Sequence, residues 1–150
     1  MQLLDALQNN LLIAALTAWF VVQIIKTLIH FFYVGERNWS RLWGSGGMPS
    51  SHAATVSAMA TAAGLHFGFD NYPFAIATVL ALVVMYDACG VRRAAGEQAR
   101  ILNEWGKMLA ATKDLPVEEK LKEFIGHTPL QVLVGAMLGI MVAVVMYLIQ

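Results

Sequence analysis

The sequence predicts an all-α integral membrane protein, a helical bundle with about four transmembrane helices plus an amphipathic surface helix. Three observations predict this class. Hydrophobic residues make up 58% of the 150 residues and charged residues only 13%, whereas soluble domains carry about 25% charged residues. Several long segments are almost free of charge. All ten Lys and Arg residues lie between Lys26 and Lys122, in the connections and at the ends of the spans that they flank.

The predicted spans cover about residues 11–32, 51–67, 73–88 and 129–149. A span needs ~20 residues, with ~17 as a lower limit, so the second and third are marginal. We expect these two to pack inside the bundle or to tilt little. Only residues 68–72 separate them, and this short turn predicts an antiparallel hairpin.

The connection after the third span contains a further helix, predicted at about residues 91–111. Its apolar residues share one side, and its charged residues include pairs spaced i, i+4. Such a helix is typical of a membrane surface. A second short helix is expected between residues 114 and 126. We treat residues 1–150 as a single membrane domain.

The charge distribution predicts an orientation. The basic residues all fall at one membrane face, whereas the opposite face carries only Asp5 and Asp70. The positive-inside rule places the basic face in the cytoplasm, with both termini outside, in a bacterial-type plasma membrane. Alternatively, the basic residues gather there to bind phosphate. The single Cys89 excludes an intrachain disulfide, and no signature of nucleic-acid binding is present.

One motif at the basic face is the run Gly46-Gly47-Met48-Pro49-Ser50-Ser51-His52-Ala53-Ala54. Proline favours the first position of a helix, and the free N–H groups of a first helical turn form an anion site. A histidine there can donate a proton to a leaving oxygen. The alternative is a capped helix whose histidine simply sits at a wet boundary.

A second histidine precedes the fourth span in Gly126-His127-Thr128-Pro129. Thr128 suits an N-cap, Pro129 the first helical position, and Gln131 completes a capping box. His127 is therefore expected just outside a second helix N-terminus, at the same membrane face as His52.

Charged residues near this face are candidates to bind an anion. Lys26 shares a polar stripe with Gln23 and His30 and is expected to point inward, although snorkelling to the interface is the alternative. Asp87 is the only acid near that depth and can pair with Lys26 or with an arginine. Guanidinium groups bind phosphate oxygens in bidentate fashion, and the candidates are Arg37, Arg41, Arg92 and Arg93.

Three segments carry a resemblance to a known family: SGGMPSSHAATVSAMATAAGL, VVMYDACGVRRAAGEQARILN and LKEFIGHTPLQVLVGAMLG. Together they resemble the divergent branch of the type-2 phosphatidic acid phosphatase superfamily, catalogued as acid phosphatase/vanadium-dependent haloperoxidase-related. The resemblance covers nearly the whole chain.

The resemblance implies a mechanism. His127 would attack phosphorus to form a phosphohistidine that water then hydrolyses, and His52 would protonate the leaving oxygen. We expect no metal or other cofactor, because helix N-termini and basic side chains supply positive charge. The phosphate would be held by Ser50, Ser51, Lys26 and either Arg37 or Arg41.

Two departures from the superfamily pattern matter. Gln131 stands where an Asp usually orients the nucleophilic histidine, and the arginine upstream of that histidine has no clear counterpart, unless Arg92 or Arg93 serves. The sequence therefore predicts a phosphatase of lipid phosphate or pyrophosphate, or else a non-catalytic binder or transporter of a phosphorylated lipid. A homodimer can complete the superfamily's six-helix core, and Gly135-x-x-x-Gly139 permits close helix approach, between copies or within one chain.

Overall fold

The computed structural model describes residues 8–34, 47–113, 120–121 and 126–150. Within these residues all regular structure is helical, as predicted. The five helices are α1 (Asn10–Val34), α2 (Ser51–Phe67), α3 (Tyr72–Cys89), α4 (Val91–Lys113) and α5 (Pro129–Leu148). Most of the short helix predicted at residues 114–126 lies outside the described residues, as do Arg37 and Arg41.

Three segments of the described chain are long and apolar enough to cross a membrane: Asn10–Phe32, Tyr72–Ala110 and Pro129–Leu148. The second runs from α3 into α4. Helix α2, also predicted as a span, has 17 residues, of which ten are buried. It packs against α1, α3 and α5. It is therefore the central helix of the bundle, and the count of four spans stays a prediction.

Small side chains build the interior of the bundle. One cluster joins α1, α2 and α5 through six alanines and one valine: Ala14, Ala18, Val22, Ala54, Ala58, Ala62 and Ala143. Small residues let helix backbones approach closely, which is how helices associate where lipid removes the hydrophobic drive. Large apolar side chains face outward instead, for example Phe20, Ile76 and Met141. This inverted distribution is expected of a bundle surrounded by lipid.

The Gly135-x-x-x-Gly139 motif lies inside this bundle. A Cβ atom at Gly135 would collide with the carbonyl oxygen of Ser50, and one at Gly139 with that of Ala54. The motif therefore joins α5 to α2 within one chain. That contact leaves neither glycine available to a second copy, so the dimer stays a prediction that this motif does not support.

Candidate functional site

Two backbone hydrogen bonds hold three helix ends together at the predicted basic face. The N–H of Ser50 donates to the carbonyl of Gln131 at 3.1 Å, and the N–H of His127 donates to the carbonyl of Ala88 at 3.0 Å. The start of α2, the start of α5 and the end of α3 therefore meet. Every predicted site residue in the described chain lies on or beside these three ends, except Lys26, which reaches them from α1.

The start of α2 differs from the prediction in one respect. Pro49 is not the first helical residue. Ser50 is the N-cap, with its side chain accepting a hydrogen bond from the N–H of Ala53 at 3.3 Å. Pro49 precedes this cap, after a cis bond from Met48 and the positive φ of 79° at Gly47. Ser50 is 0% exposed, so its hydroxyl serves the helix start.

His127 is buried, at 5% exposure, immediately before α5. Its Nδ1 atom lies 3.2 Å from Oε1 of Gln131. The same oxygen accepts the N–H of Thr128 at 3.1 Å, and the N–H of Gln131 donates to Oγ1 of Thr128 at 3.4 Å. The predicted capping box is thus confirmed, with Pro129 in the first turn of α5.

The contact with Gln131 selects a tautomer of His127. An amide oxygen only accepts hydrogen bonds, so Nδ1 must carry the proton. The lone pair of the neutral ring is then on Nε2. Gln131 therefore orients His127 as an orienting carboxylate would, but it brings no negative charge.

The second histidine lies beside the first. The ring centroids of His52 and His127 are 6.4 Å apart, and the two planes are tilted by 52°. His52 is half-buried in the first turn of α2. The structure therefore brings together the two histidines that the sequence singled out.

Lys26 points inward, as the polar stripe predicts. It is only 7% exposed, and its Nζ atom donates to Oγ of Ser51 at 3.2 Å. Gln23 is buried on the same side of α1. The ammonium group thus lies next to the first turn of α2. A buried ammonium is costly unless paired or solvated by polar groups, so an anion in this place would relieve its burial.

The pKa of His127 is lowered from its ordinary value of 6.5, mainly because burial disfavours the charged ring. The positive charges of Lys26, His52 and Arg92 lower it further, whereas the hydrogen bond to Gln131 raises it. His127 is therefore mostly neutral at pH 7, with its lone pair available.

The two consecutive arginines have different surroundings. Arg92 donates from Nε to Oδ2 of Asp87 at 2.6 Å, in a half-exposed ion pair, and its charge lowers the pKa of His127. Asp87 therefore pairs with an arginine, which is one of its two predicted partners.

Arg93 instead lines a cavity of about 230 Å³ between α4 and the start of α5. Sequence reasoning assigned no site role to two other residues that line it, Glu97 and Arg100. Glu97 and Arg100 follow Arg93 by four and seven residues, so all three lie on one face of the helix. This spacing is the feature of the sequence that indicates a shared cavity wall. The cavity is lined by Arg93, Gly96, Glu97, Arg100, Gly126, His127 and Thr128.

Comparison with known proteins identifies similarity to one family and to one membrane protein, each over nearly the whole chain. The model of a family described as "Divergent PAP2 family" matches residues 7–142. The chain is also 37% identical to the "Uncharacterized membrane protein YuiD" of Bacillus subtilis (strain 168) over 153 aligned positions, which cover 95% of this chain and 97% of that protein. No solved structure matches the chain. The chain therefore belongs to the divergent PAP2 family.

Proposed function

We propose that the protein is a membrane phosphatase that hydrolyses a lipid phosphate or pyrophosphate through a phosphohistidine at His127. The observation that carries the proposal is the pairing of His127 with His52, at a centroid distance of 6.4 Å, beside the buried ammonium of Lys26. Membership of a PAP2-related family supports the same reaction class.

In the first step, the Nε2 lone pair of His127 attacks phosphorus as the bond from phosphorus to the leaving oxygen breaks. His52 gives a proton to that oxygen, so the lipid leaves as an alcohol or, from a pyrophosphate, as a monophosphate. In the second step, His52 removes a proton from water, which attacks phosphorus and breaks the N–P bond. Phosphate leaves, and both histidines return to their starting states.

Positive charge for a phosphoryl group is already in place. Lys26 lies at the first turn of α2, and the charge of Arg92, which is paired with Asp87, lowers the pKa of the His127 ring. The N–H groups at the start of α2 add partial positive charge. Such fixed groups can stabilise the developing charge, so we propose a reaction that requires no metal or other cofactor. Ser51, whose Oγ accepts from Lys26, would contact the phosphate, with Arg37 or Arg41 as a further ligand.

We place the protein in the plasma membrane with the site at the cytoplasmic face. All ten Lys and Arg residues lie between Lys26 and Lys122 and flank the helix ends that form the site, which fits the positive-inside rule. The phosphorylated lipid is then the partner of the site. A homodimer is part of the same proposal.

A second candidate function is binding or transport of a phosphorylated lipid without cleavage. The observation that favours it is Gln131, which the capping box of α5 explains without any catalytic role. A neutral amide also stabilises an imidazolium less than a carboxylate does.

The deciding experiment measures phosphate release from a panel of lipid phosphates and pyrophosphates by the purified protein in the presence of chelator. We expect release by the wild type and by His66→Ala, because His66 lies at the far end of α2, beside Asn10 and Tyr147. We expect none from His127→Ala. Full activity of His127→Ala would refute the proposed nucleophile. Saturable lipid-phosphate binding with no turnover would favour the binder or transporter.

A further inference from the structure

Helix α4 exposes its apolar side. Six of its apolar side chains are between 39% and 67% exposed: Val91, Ile101, Leu102, Trp105, Met108 and Leu109. They recur at helical spacing and form one stripe, which we call the outer stripe. An exposed apolar stripe of this size favours an apolar environment over water, because apolar area in water costs free energy in proportion to its size.

The opposite side of α4 holds the contacts with the rest of the chain. The Asn103 side chain donates to the carbonyl of Leu121 and accepts its N–H, both at 2.9 Å. Ala99 is buried, and Gly126 packs against the backbone of Arg93. In a water-soluble domain the apolar face of a helix turns toward the core. Helix α4 has the reverse orientation.

Continuity with the lipid-facing surface indicates what covers the outer stripe. Only Gly90 separates α4 from α3. The last turns of α3 expose Leu82, Val83 and Tyr86, and the first residue of α4, Val91, is also exposed. The apolar surface of the span therefore runs on into α4. Basic residues outnumber acidic ones in α4, which suits the anionic headgroups of a membrane surface.

We propose that α4 lies in the headgroup–acyl boundary of the leaflet at the basic end of the bundle, with the outer stripe in lipid. Its polar side then faces away from the acyl chains and forms the wall of the cavity beside His127. The candidate site is thereby set at the depth of lipid phosphates. The docking itself does not depend on the phosphatase reaction, so the two proposals can fail separately.

The first test uses the full-length protein in vesicles of phosphatidylcholine and phosphatidylglycerol. Trp105 is kept as the single tryptophan by changing Trp19, Trp39 and Trp43 to Phe. We expect lipids brominated near the headgroup end of the acyl chain to quench Trp105 several-fold more than lipids brominated near the terminal methyl. A variant with Trp19 alone, in the middle of α1, should show the opposite order. Absence of quenching at Trp105 would overturn the proposal.

The second test compares cysteines on the two sides of α4 in a Cys89→Ser background. Trp105→Cys lies in the outer stripe, and Lys107→Cys is exposed on the other side. In vesicles we expect a water-soluble maleimide to label position 105 several-fold more slowly than position 107, with similar rates after unfolding in detergent. Equal rates in vesicles would place the stripe in water. Disulfide formation between copies at position 105 would assign the stripe to a second copy instead. Either result refutes lipid docking while leaving the phosphatase proposal intact.

Discussion

The side-chain oxygen of Gln131 lies 3.2 Å from Nδ1 of His127 and 3.1 Å from the backbone nitrogen of Thr128. One atom thus fixes both the start of α5 and the ring of the histidine that precedes it. A Glu or Gln at this helix position suits a capping box, whereas the shorter Asp of the wider superfamily has one methylene less to reach back. The cap and the histidine contact therefore both depend on this side chain.

Substitution of Gln131 separates its two roles. Gln131→Glu keeps the length and the capping box and adds a charge that stabilises the imidazolium, so we expect phosphate release to rise. Gln131→Leu removes the oxygen and should lower turnover about 10- to 100-fold, as for loss of a hydrogen bond to a group that becomes charged. Thermal unfolding in detergent checks that both variants stay folded. Equal turnover of wild type, Glu and Leu variants would leave Gln131 with the capping role alone.

The pH dependence should report the environment of His127. Burial and nearby cations lower the pKa of its ring from 6.5. Since attack requires the neutral ring of His127, the acid limb that this ring sets should lie below pH 6.5, whereas the protonated His52 that the leaving oxygen requires sets a separate alkaline limb. Gln131→Glu should move this acid limb upward, because a carboxylate favours the charged ring. Rates of phosphohistidine formation, measured from pH 4 to 8, test both statements. An acid limb at or above pH 6.5 in the wild type would contradict the first.

Removal of the buried ammonium should weaken anion binding. Lys26→Met keeps the length of the side chain but loses its charge and its hydrogen bond to Ser51. We expect inhibition by inorganic phosphate to weaken about 10- to 100-fold, the size of a charge-assisted hydrogen bond. Lys107→Met, on exposed α4 surface, is the control and should change nothing. Unaltered phosphate inhibition in Lys26→Met would remove Lys26 from the proposed site.

Sequence patterns predicted the helices well because the signals were local. Helix boundaries follow from runs of apolar residues, and the cap of α5 follows from Thr128, Pro129 and Gln131. The inward direction of Lys26 follows from its stripe with Gln23. These features depend on residues within a few positions of each other, where geometry is set by helix periodicity.

Other features depend on contacts between distant residues and could not be read from spacing. The placement of Ser50 against Gln131, and of Ala88 against His127, decides which helix ends meet. For the same reason, spacing alone does not decide whether Asp87 pairs with Lys26 or with an arginine. It also does not decide whether the Gly135-x-x-x-Gly139 motif packs within one chain or between copies. Pro49 lies two positions before Ser51, the first helical residue, rather than at that position, because the preference of proline for a helix start does not decide whether a serine after it takes the cap.

The predicted orientation can be tested at the turn between α2 and α3. Asp70 is exposed there, at the end of the bundle opposite the histidines. In intact cells of a Cys89→Ser background, Asp70→Cys should react with a membrane-impermeant maleimide added outside. Lys107→Cys should react only after the cells are opened. The reverse pattern would place the basic face, and with it the proposed site, outside the cytoplasm.

The close contact between α5 and α2 should make Gly139 intolerant of any side chain. A Cβ atom there would collide with the carbonyl oxygen of Ala54, and relief requires the two helix backbones to separate. We expect Gly139→Ala to lower the free energy of unfolding by about 1–3 kcal/mol, the usual cost of overpacking. Gly106→Ala is the matched control, since a Cβ in that helix meets nothing within 4 Å and alanine favours the helix by about 0.5–1 kcal/mol. Denaturation followed by circular dichroism measures both. Because α2 also carries His52 and Ser51, Gly139→Ala should weaken inhibition by phosphate as well. A Gly139→Ala protein as stable as the wild type would contradict the prediction, because it would show that the two helices can separate at little cost.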